Sequence, residues 1–388
     1  MTASNFDRGI AESRVAEPGF IESVDVFVLA NPDARYRTSA HYDELHITNT
    51  IVRITASDGR FGVGAAISWT EGGVDVALGH AIEHVGSALI GQDPTQRERL
   101  HVLMANRCAS MLPVSLAPLD IALWDLESKS LGVPLYRLLG GFRHEIQAYA
   151  STPFFPTIGE YLDATAEYLD AGYRAVKFHT WCYPDRDLEL VDAIAERYGH
   201  LDVAWMLDVE GRYSRRDALR VGRRLEELDY TWFEAPLPDA DLDGYRWLRS
   251  KLGIEILPAG NEILTPELIR SGIEAGCWDH ARVDATLAGG ITGARRVMEL
   301  ARASSMNVEL QSWGYTLSQA ANLHLMLAYP NCRYFEQAMP IEPMEFAALD
   351  HIRVDDTGHV RAPNKPGLGV DLDWDLVEAT CLRRITIG

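Results

Sequence analysis

Eight short apolar runs, separated by amphipathic stretches, fill the chain from about residue 145 onward, and their spacing admits few folds. The runs are IQAYAS (146–151), AVKFH (175–179), VAWML (203–207), YTWFE (230–234), IEILPA (254–259), ARVDA (281–285), MNVELQ (306–311) and CRYFEQ (332–337). Strands buried on both faces read as continuous apolar runs of this kind. Asp208 and Glu234 close or follow such runs 26 residues apart, and Asn261 follows Glu234 by 27. A repeat of that size is one strand plus one crossover helix. Helical patterns at 187–198 and 215–228 supply the crossovers. Eight such strands predict a TIM-type α/β barrel. A doubly wound sheet is the alternative, but its glycine-rich phosphate turn is missing here.

The preceding part reads differently. Residues 20–70 alternate and are rich in β-branched side chains, with Asp58-Gly59 as a hairpin signal, and predict a β-meander. A polar stretch, NPDARYRTSAHYDELHI (31–47), is expected to be a long loop, and long loops in compact domains often carry function. Helices are expected at 74–90, at 95–109 and from about 116. The last, within LAPLDIALWDLESKSLGVPLYRLLGG, bears the apolar stripe Leu119, Ala122, Leu123 and Leu126 and stops at Gly140-Gly141. Strands followed by helices make an α+β domain. The division expected is an α+β domain over 1–143, a barrel over 144–350 and a C-terminal segment over 351–388 that packs back on the first domain.

A formal net charge of −20 argues against nucleic acid, which needs a basic footprint. No run is long and apolar enough to span a membrane, and the first residues lack the basic and apolar regions of a signal peptide, so a cytoplasmic protein is expected. The five cysteines are scattered without zinc-type spacing and read as free thiols.

In a TIM barrel the C-terminal ends of the strands build the active site. Asp208, Glu234 and either Asn261 or Glu262 stand at three successive ends. Hard oxygen ligands so arranged suit Mg²⁺, whereas a bland reading makes them caps of the following helices. Lys177 and His179, two residues apart on one strand, point to one face. The lysine is expected to bind a carboxylate and to lower the histidine pKa, leaving a neutral base. Asp284, Gln311 and Glu336 end the sixth, seventh and eighth runs.

These motifs taken together, PLDIALWDLESKSLGVPLYRLLGG, Lys-x-His, the Asp/Glu/acid-or-amide series and GGITGA after the sixth strand, resemble the enolase superfamily, close to the mandelate racemase/muconate lactonizing enzyme-like acid-sugar dehydratases. The resemblance spans nearly the whole chain. It implies an α+β capping domain on a (β/α)7β barrel and a Mg²⁺-stabilised enediolate formed by removing a proton α to a carboxylate. Asp208 and Glu234 match the first two metal ligands. At the third, where the family usually has Gly-Glu or Asp-Glu, this chain has Gly260-Asn261-Glu262, which assigns Asn261 with Glu262 as the alternative. His179 replaces the family's commonest base, a lysine. The usual His-x-Trp-Gly appears as Gln311-Ser312-Trp313-Gly314, so the strand-seven imidazole that pairs with the matched Asp284 is gone, and Gln311 is expected to bind substrate instead. Glu336 matches an acid that hydrogen-bonds the substrate carboxylate. Glu210 and Trp313 are expected in substrate binding, with His41, Tyr42 and His46 of the polar stretch as further binding groups and candidate acids.

The function so implied is Mg²⁺-dependent dehydration of a small sugar acid, an aldonate or aldarate, to a 2-keto-3-deoxy acid. A racemase needs proton donors on both faces, and Gln311 removes one. A racemase, epimerase or cycloisomerase on the same scaffold is the alternative, and a non-catalytic carboxylate-binding homologue a weaker one. Homo-oligomers are usual in the family.

Overall fold

A computed structural model of the protein describes residues 19–68, 73–108 and 113–388. The N-terminal part is an antiparallel meander of β1 (Ile21–Tyr36), β2 (Leu45–Ala56) and β3 (Phe61–Ser68), followed by helices α1 (Gly73–Gly86), α2 (Arg97–Arg107), α3 (Ala117–Ser130) and α4 (Leu135–Leu138). The polar stretch 31–47 is mostly not a loop. β1 and β2 pair as far as Tyr36↔Leu45, with the register shifting between Ala30 and Arg35. Pro32 has no amide hydrogen to give to a ladder, which accounts for an interruption there. Pairing then resumes and leaves 37–44 as the connection.

Helix α3 is buried on nearly every side because two cores claim it. Leu119, Ala122, Leu123 and Leu126 pack into the core of the N-terminal domain, while Ile121 and Trp124 join the core that continues into the barrel. The helix lies directly on β3, which is possible because β3 carries Gly62 and Gly64. A Cβ at either position would sit 2.1 Å from a carbonyl oxygen of α3, that of Ala122 or Pro118. Asp125, fully buried, ties three segments together by accepting from the amides of Val63 and Leu368 and pairing with Lys129.

The barrel follows as β4 (Glu145–Ser151), α5 (Ile158–Asp170), β5 (Ala175–His179), α6 (Pro184–Tyr198), β6 (Ala204–Asp208), α7 (Arg215–Glu227), β7 (Trp232–Glu234), α8 (Leu242–Arg249), β8 (Glu255–Leu257), α9 (Pro266–Glu274), β9 (His280–Val283), α10 (Gly290–Ala303), β10 (Asn307–Leu310), α11 (Thr316–Ala328) and β11 (Tyr334–Ala338). This is the (β/α)7β order, each strand within two residues of its apolar run. Thr157, Ser214, Asp241 and Thr265 cap α5, α7, α8 and α9 through their side chains.

The parallel ladders form two arcs. One runs β11-β4-β5-β6-β7-β8, and the other is the pair β9-β10. At the β8/β9 seam the Asp279 amide donates to Ile256 O, and at the β10 edge the Val308 amide donates to Asn331 O. Side chains at the N-terminal end stitch the same seams. His280 lies between Glu255 (3.2 Å) and Glu309 (3.4 Å), and Arg333 pairs with both acids. The last residues add β12 (His359–Arg361), α12 (Trp374–Ala379) and β13 (Cys381–Ile387). β12 pairs with β4, whereas β13 joins the meander beside β1.

Candidate active site

A cavity of about 370 Å³ opens at the C-terminal ends of the strands. In-register pairing sets His179 beside Asp208 and Asp208 beside Glu234 on β5, β6 and β7. Lys177, one inward position below His179, reaches Glu336 at 2.7 Å, Glu234 at 3.0 Å and Asp208 at 3.4 Å. Burial opposes the lysine's charge, but Glu234 and Glu336 outweigh it and hold the ammonium well above its ordinary range. Burial likewise raises the carboxyls, yet Lys177 and His179 bring Asp208 far below normal, and Lys177 with Arg282 brings Glu336 to about 2. Glu234 differs. Burial pushes it up to about 7, against Arg282 and Lys177 and with help from Asp208 and Glu336.

His179 is oriented through its backbone-facing nitrogen. Nδ1 lies 2.7 Å from Thr152 O, a carbonyl that also accepts from the Tyr36 hydroxyl at 2.8 Å. A carbonyl can only accept, so Nδ1 carries the proton and Nε2 faces the cavity. Nε2 lies 3.3 Å from Asp208 and 3.6 Å from Glu210. The expected lowering of this imidazole by Lys177 is reversed. Burial and Lys177 do lower it, but the hydrogen bond and charge of Asp208 prevail and raise it.

Of the expected metal ligands, Asp208, Glu234 and Asn261 line the cavity. Among the described residues a different group of metal-capable atoms, His179, Asp208 and Glu210, lies within 4.8 Å of one another. Lys177 stands among Asp208, Glu234 and Glu336 and, together with Arg282 at the last two, balances their charge. The donors still fit a hard divalent ion. They are oxygens, and Glu234 Oε2 is buried without a hydrogen-bond partner among the described residues. Asn261 and Glu262 are both exposed, but Asn261 faces the cavity and its Oδ1 accepts from Gln311 at 3.3 Å.

Several residues are placed differently from expectation. Gln311 lines the cavity, but its amide nitrogen is engaged by Ala259 O and Asn261, so it braces the turn that follows β8. Asp284 is held through Oδ1 by the Thr286 amide and hydroxyl and by Asn322, and burial raises it to about 6. Glu336 lines the cavity, accepts from Ser151 and pairs with Arg282 and Lys177, contacts that favour its charged form. His41 is exposed and packs on Tyr183 at 4.9 Å rather than lining the cavity. Tyr42 and Trp313 do line it, and the side chain of His46 lies outside the described residues. Glu210 reaches the site from a left-handed backbone (φ 53°), a conformation costly for a residue with a side chain and concentrated at functional sites.

Three contributors escape the motif reading. Arg282, buried, joins Glu234 at 2.6 Å and Glu336 at 3.1 Å. Its sequence signals are a charge inside an apolar run and its place two residues before Asp284, hence on the same strand face. Asp239, buried, accepts from the amides of Ala259 (2.9 Å), Asn261 (3.0 Å) and Glu262 (3.2 Å) and so shapes the same turn after β8. Thr38 lines the cavity from the β1–β2 connection.

Comparison with known proteins agrees with this architecture. Residues 25–140 match the family described as mandelate racemase / muconate lactonizing enzyme, N-terminal domain, and residues 160–376 match the enolase C-terminal domain-like family. A solved structure from Pseudovibrio sp., assigned to mandelate racemase/muconate lactonizing enzymes, is 38% identical and superposes with a TM-score of 0.93 over 96% of this chain and 100% of that one. The L-talarate/galactarate dehydratase of Salmonella typhimurium is 28% identical over 81% of this chain and 80% of its own length. Its structure liganded with Mg and L-lyxarohydroxamate superposes with a TM-score of 0.87 over 100% of this chain and 99% of that one, at 24% identity. The D-galactarolactone cycloisomerase of Agrobacterium fabrum is 28% identical over 84% of this chain and 89% of its own length. The chain belongs to the mandelate racemase / muconate lactonizing enzyme family of the enolase superfamily.

Proposed function

We propose that this mandelate racemase / muconate lactonizing enzyme family member is a Mg²⁺-dependent dehydratase of a sugar acid, an aldonate or aldarate. The observation that carries the reading is His179. Its Nδ1 is locked to Thr152 O, so Nε2 is the atom that handles a proton, beside Asp208 and above Lys177 in the same cavity. The dehydratase relatives support the class of substrate, and the Mg-liganded structure of one of them supports the metal.

Asp208, Glu234 and Asn261 would hold the ion. Bound there, Mg²⁺ supplies Lewis-acid stabilisation of the enediolate that forms when the α-proton leaves. Lys177 offers the substrate carboxylate a fixed positive charge. His179 Nε2 takes the α-proton, and the raised imidazole makes it a stronger base once neutral. The same nitrogen, now protonated, hands the proton to the β-hydroxyl as it departs, with Tyr42, which lines the cavity from the β1–β2 connection, as a second candidate acid. Gln311 cannot donate a proton to the opposite face, which favours elimination over racemisation.

Incubating aldonates and aldarates with the protein and Mg²⁺, and trapping 2-keto product with semicarbazide, tests the reading. Product identifies a dehydratase and its substrate together. Solvent deuterium at Cα without product replaces dehydration by epimerisation or cycloisomerisation. No product and no exchange across the library removes the reading.

A further inference from the structure

We infer that Arg282 is a positioning residue that restricts Glu234 to one free oxygen and keeps the divalent-cation site weak until an anionic substrate joins it. The inference rests on the metal reading above. From β9 the guanidinium crosses to two other strands. Its Nη2 takes Glu234 Oε1 on β7 at 2.6 Å and Glu336 Oε2 on β11 at 3.1 Å, while Nη1 faces the Tyr149 hydroxyl at 3.4 Å. Lys177 takes the same Glu234 Oε1 at 3.0 Å and the other oxygen of Glu336 at 2.7 Å. Glu234 Oε1 is therefore shared between two cations, and Oε2 alone, buried and unpartnered among the described residues, is left to a metal. Bidentate coordination by Glu234 would break the Arg282 contact.

Charge follows from the same contacts. The two carboxylates expected to ligate, Asp208 and Glu234, are both in contact with a fixed ammonium, and Glu234 also with a guanidinium. The third position is an amide, Asn261, which adds no negative charge. A divalent cation thus meets a field that its neighbours have partly cancelled, in a cavity where charges act strongly on one another. An α-hydroxy carboxylate supplies the missing charge, so cation and substrate each strengthen the other's binding, as linkage requires.

Mn²⁺ binding, followed by loss of the free-ion EPR signal, tests this without reference to turnover. Arg282→Gln should bind Mn²⁺ at least about tenfold more tightly than wild type, the minimum expected for removing a unit charge a few ångströms away. Arg282→Lys, which restores the charge, should return toward wild type. Equal or weaker binding by Arg282→Gln, in a protein with wild-type circular dichroism, overturns the inference. Should that variant not fold, wild type alone decides. Saturating glycolate, the smallest α-hydroxy carboxylate, should tighten Mn²⁺ by about tenfold or more after correction for complexes in solution, and unchanged affinity refutes the coupling. Failure of both wild type and Arg282→Gln to bind Mn²⁺ instead refutes the metal reading beneath it.

Discussion

Trp124 Nε1 donates to the hydroxyl of Thr292 at 2.9 Å, joining a helix of the N-terminal domain to the first turn of barrel helix α10. The contact is reinforced four residues earlier on α3. Asp120 Oδ1 accepts from the Thr292 amide at 2.9 Å, and its Oδ2 lies 3.1 Å from His101 Nδ1. Gly290 makes room for this. A Cβ there would stand 2.3 Å from Asp120 Oδ1, and its φ is +85°. The two sequence motifs that carry most of the family resemblance, the α3 segment and GGITGA, are therefore one interdomain joint.

Removing parts of that joint should destabilise the fold unequally. Asp120→Ala strands the buried Thr292 amide and His101 and is expected to cost about 2–3 kcal/mol, whereas Trp124→Phe forfeits one neutral hydrogen bond, about 1 kcal/mol. Denaturant midpoints compare them, and equal losses would remove Asp120 from its place as the anchor.

His179→Asn removes the nitrogen proposed to take the α-proton while leaving Asp208 and Glu234 in place. Exchange of the substrate α-proton with solvent deuterium, read by NMR, should fall by a factor of about a hundred or more. Mn²⁺ binding should persist. Retained exchange would transfer the base to another group, Lys177 first.

The turn at Asn261 and Glu262 gives a graded series. Asn261→Ala should weaken divalent-ion binding, while Glu262→Gln should leave it nearly unchanged, and the reverse order would assign Glu262. Asp239→Ala touches no ion, yet it frees the three amides that shape the turn. A loss of roughly tenfold or more in Mn²⁺ affinity is expected, the usual scale for a support behind a ligand.

His324 should shape stability in acid. The Tyr136 amide donates to its Nδ1 at 3.0 Å and its Nε2 faces Leu368 O at 3.1 Å, so the ring is held neutral, and burial lowers its pKa to about 4 from 6.5. Between those values the unfolded chain binds a proton that the folded one refuses. The contribution is therefore complete above about pH 6.5 and declines as pH falls toward 4, by on the order of 3 kcal/mol. Asp187 and Asp284, each raised to about 6 by burial, act in the opposite direction over part of that range. Comparing wild type with His324→Gln isolates the histidine. Parallel stability–pH curves for the two would refute its role.

How far these features could be read beforehand depends on their physics. Buried barrel strands are continuous apolar runs, so all eight stand out, and Asp208 and Glu234 show themselves by breaking such runs. Lys177 and His179 do so too, being polar and two apart. Arg282 breaks its run just as plainly, but nothing in the chain says that it reaches across to Glu234 and Glu336. Asp239 is lost among Asp241 and Asp243 of the same acidic turn, since only the fold shows which of the three points inward. Gln311 was legible as a residue that cannot transfer a proton, but not as a brace, because Ala259 and Asn261 come to it from another strand. The stretch 31–47 misleads because polar residues on paired strands resemble a loop when the pairing is interrupted.

The division of the barrel into two ladders gives the cavity a property that no single residue has. Lys177, His179, Asp208, Glu234 and Glu336 belong to the larger arc, and Arg282, Asp284 and Gln311 to β9 and β10 or their ends. A ligand that reaches the lining residues of both arcs would act as a clasp between them. Amide hydrogens along β9 and β10 should accordingly exchange with solvent sooner than those of β5 and β6, and should be the ones most slowed when the cavity is filled.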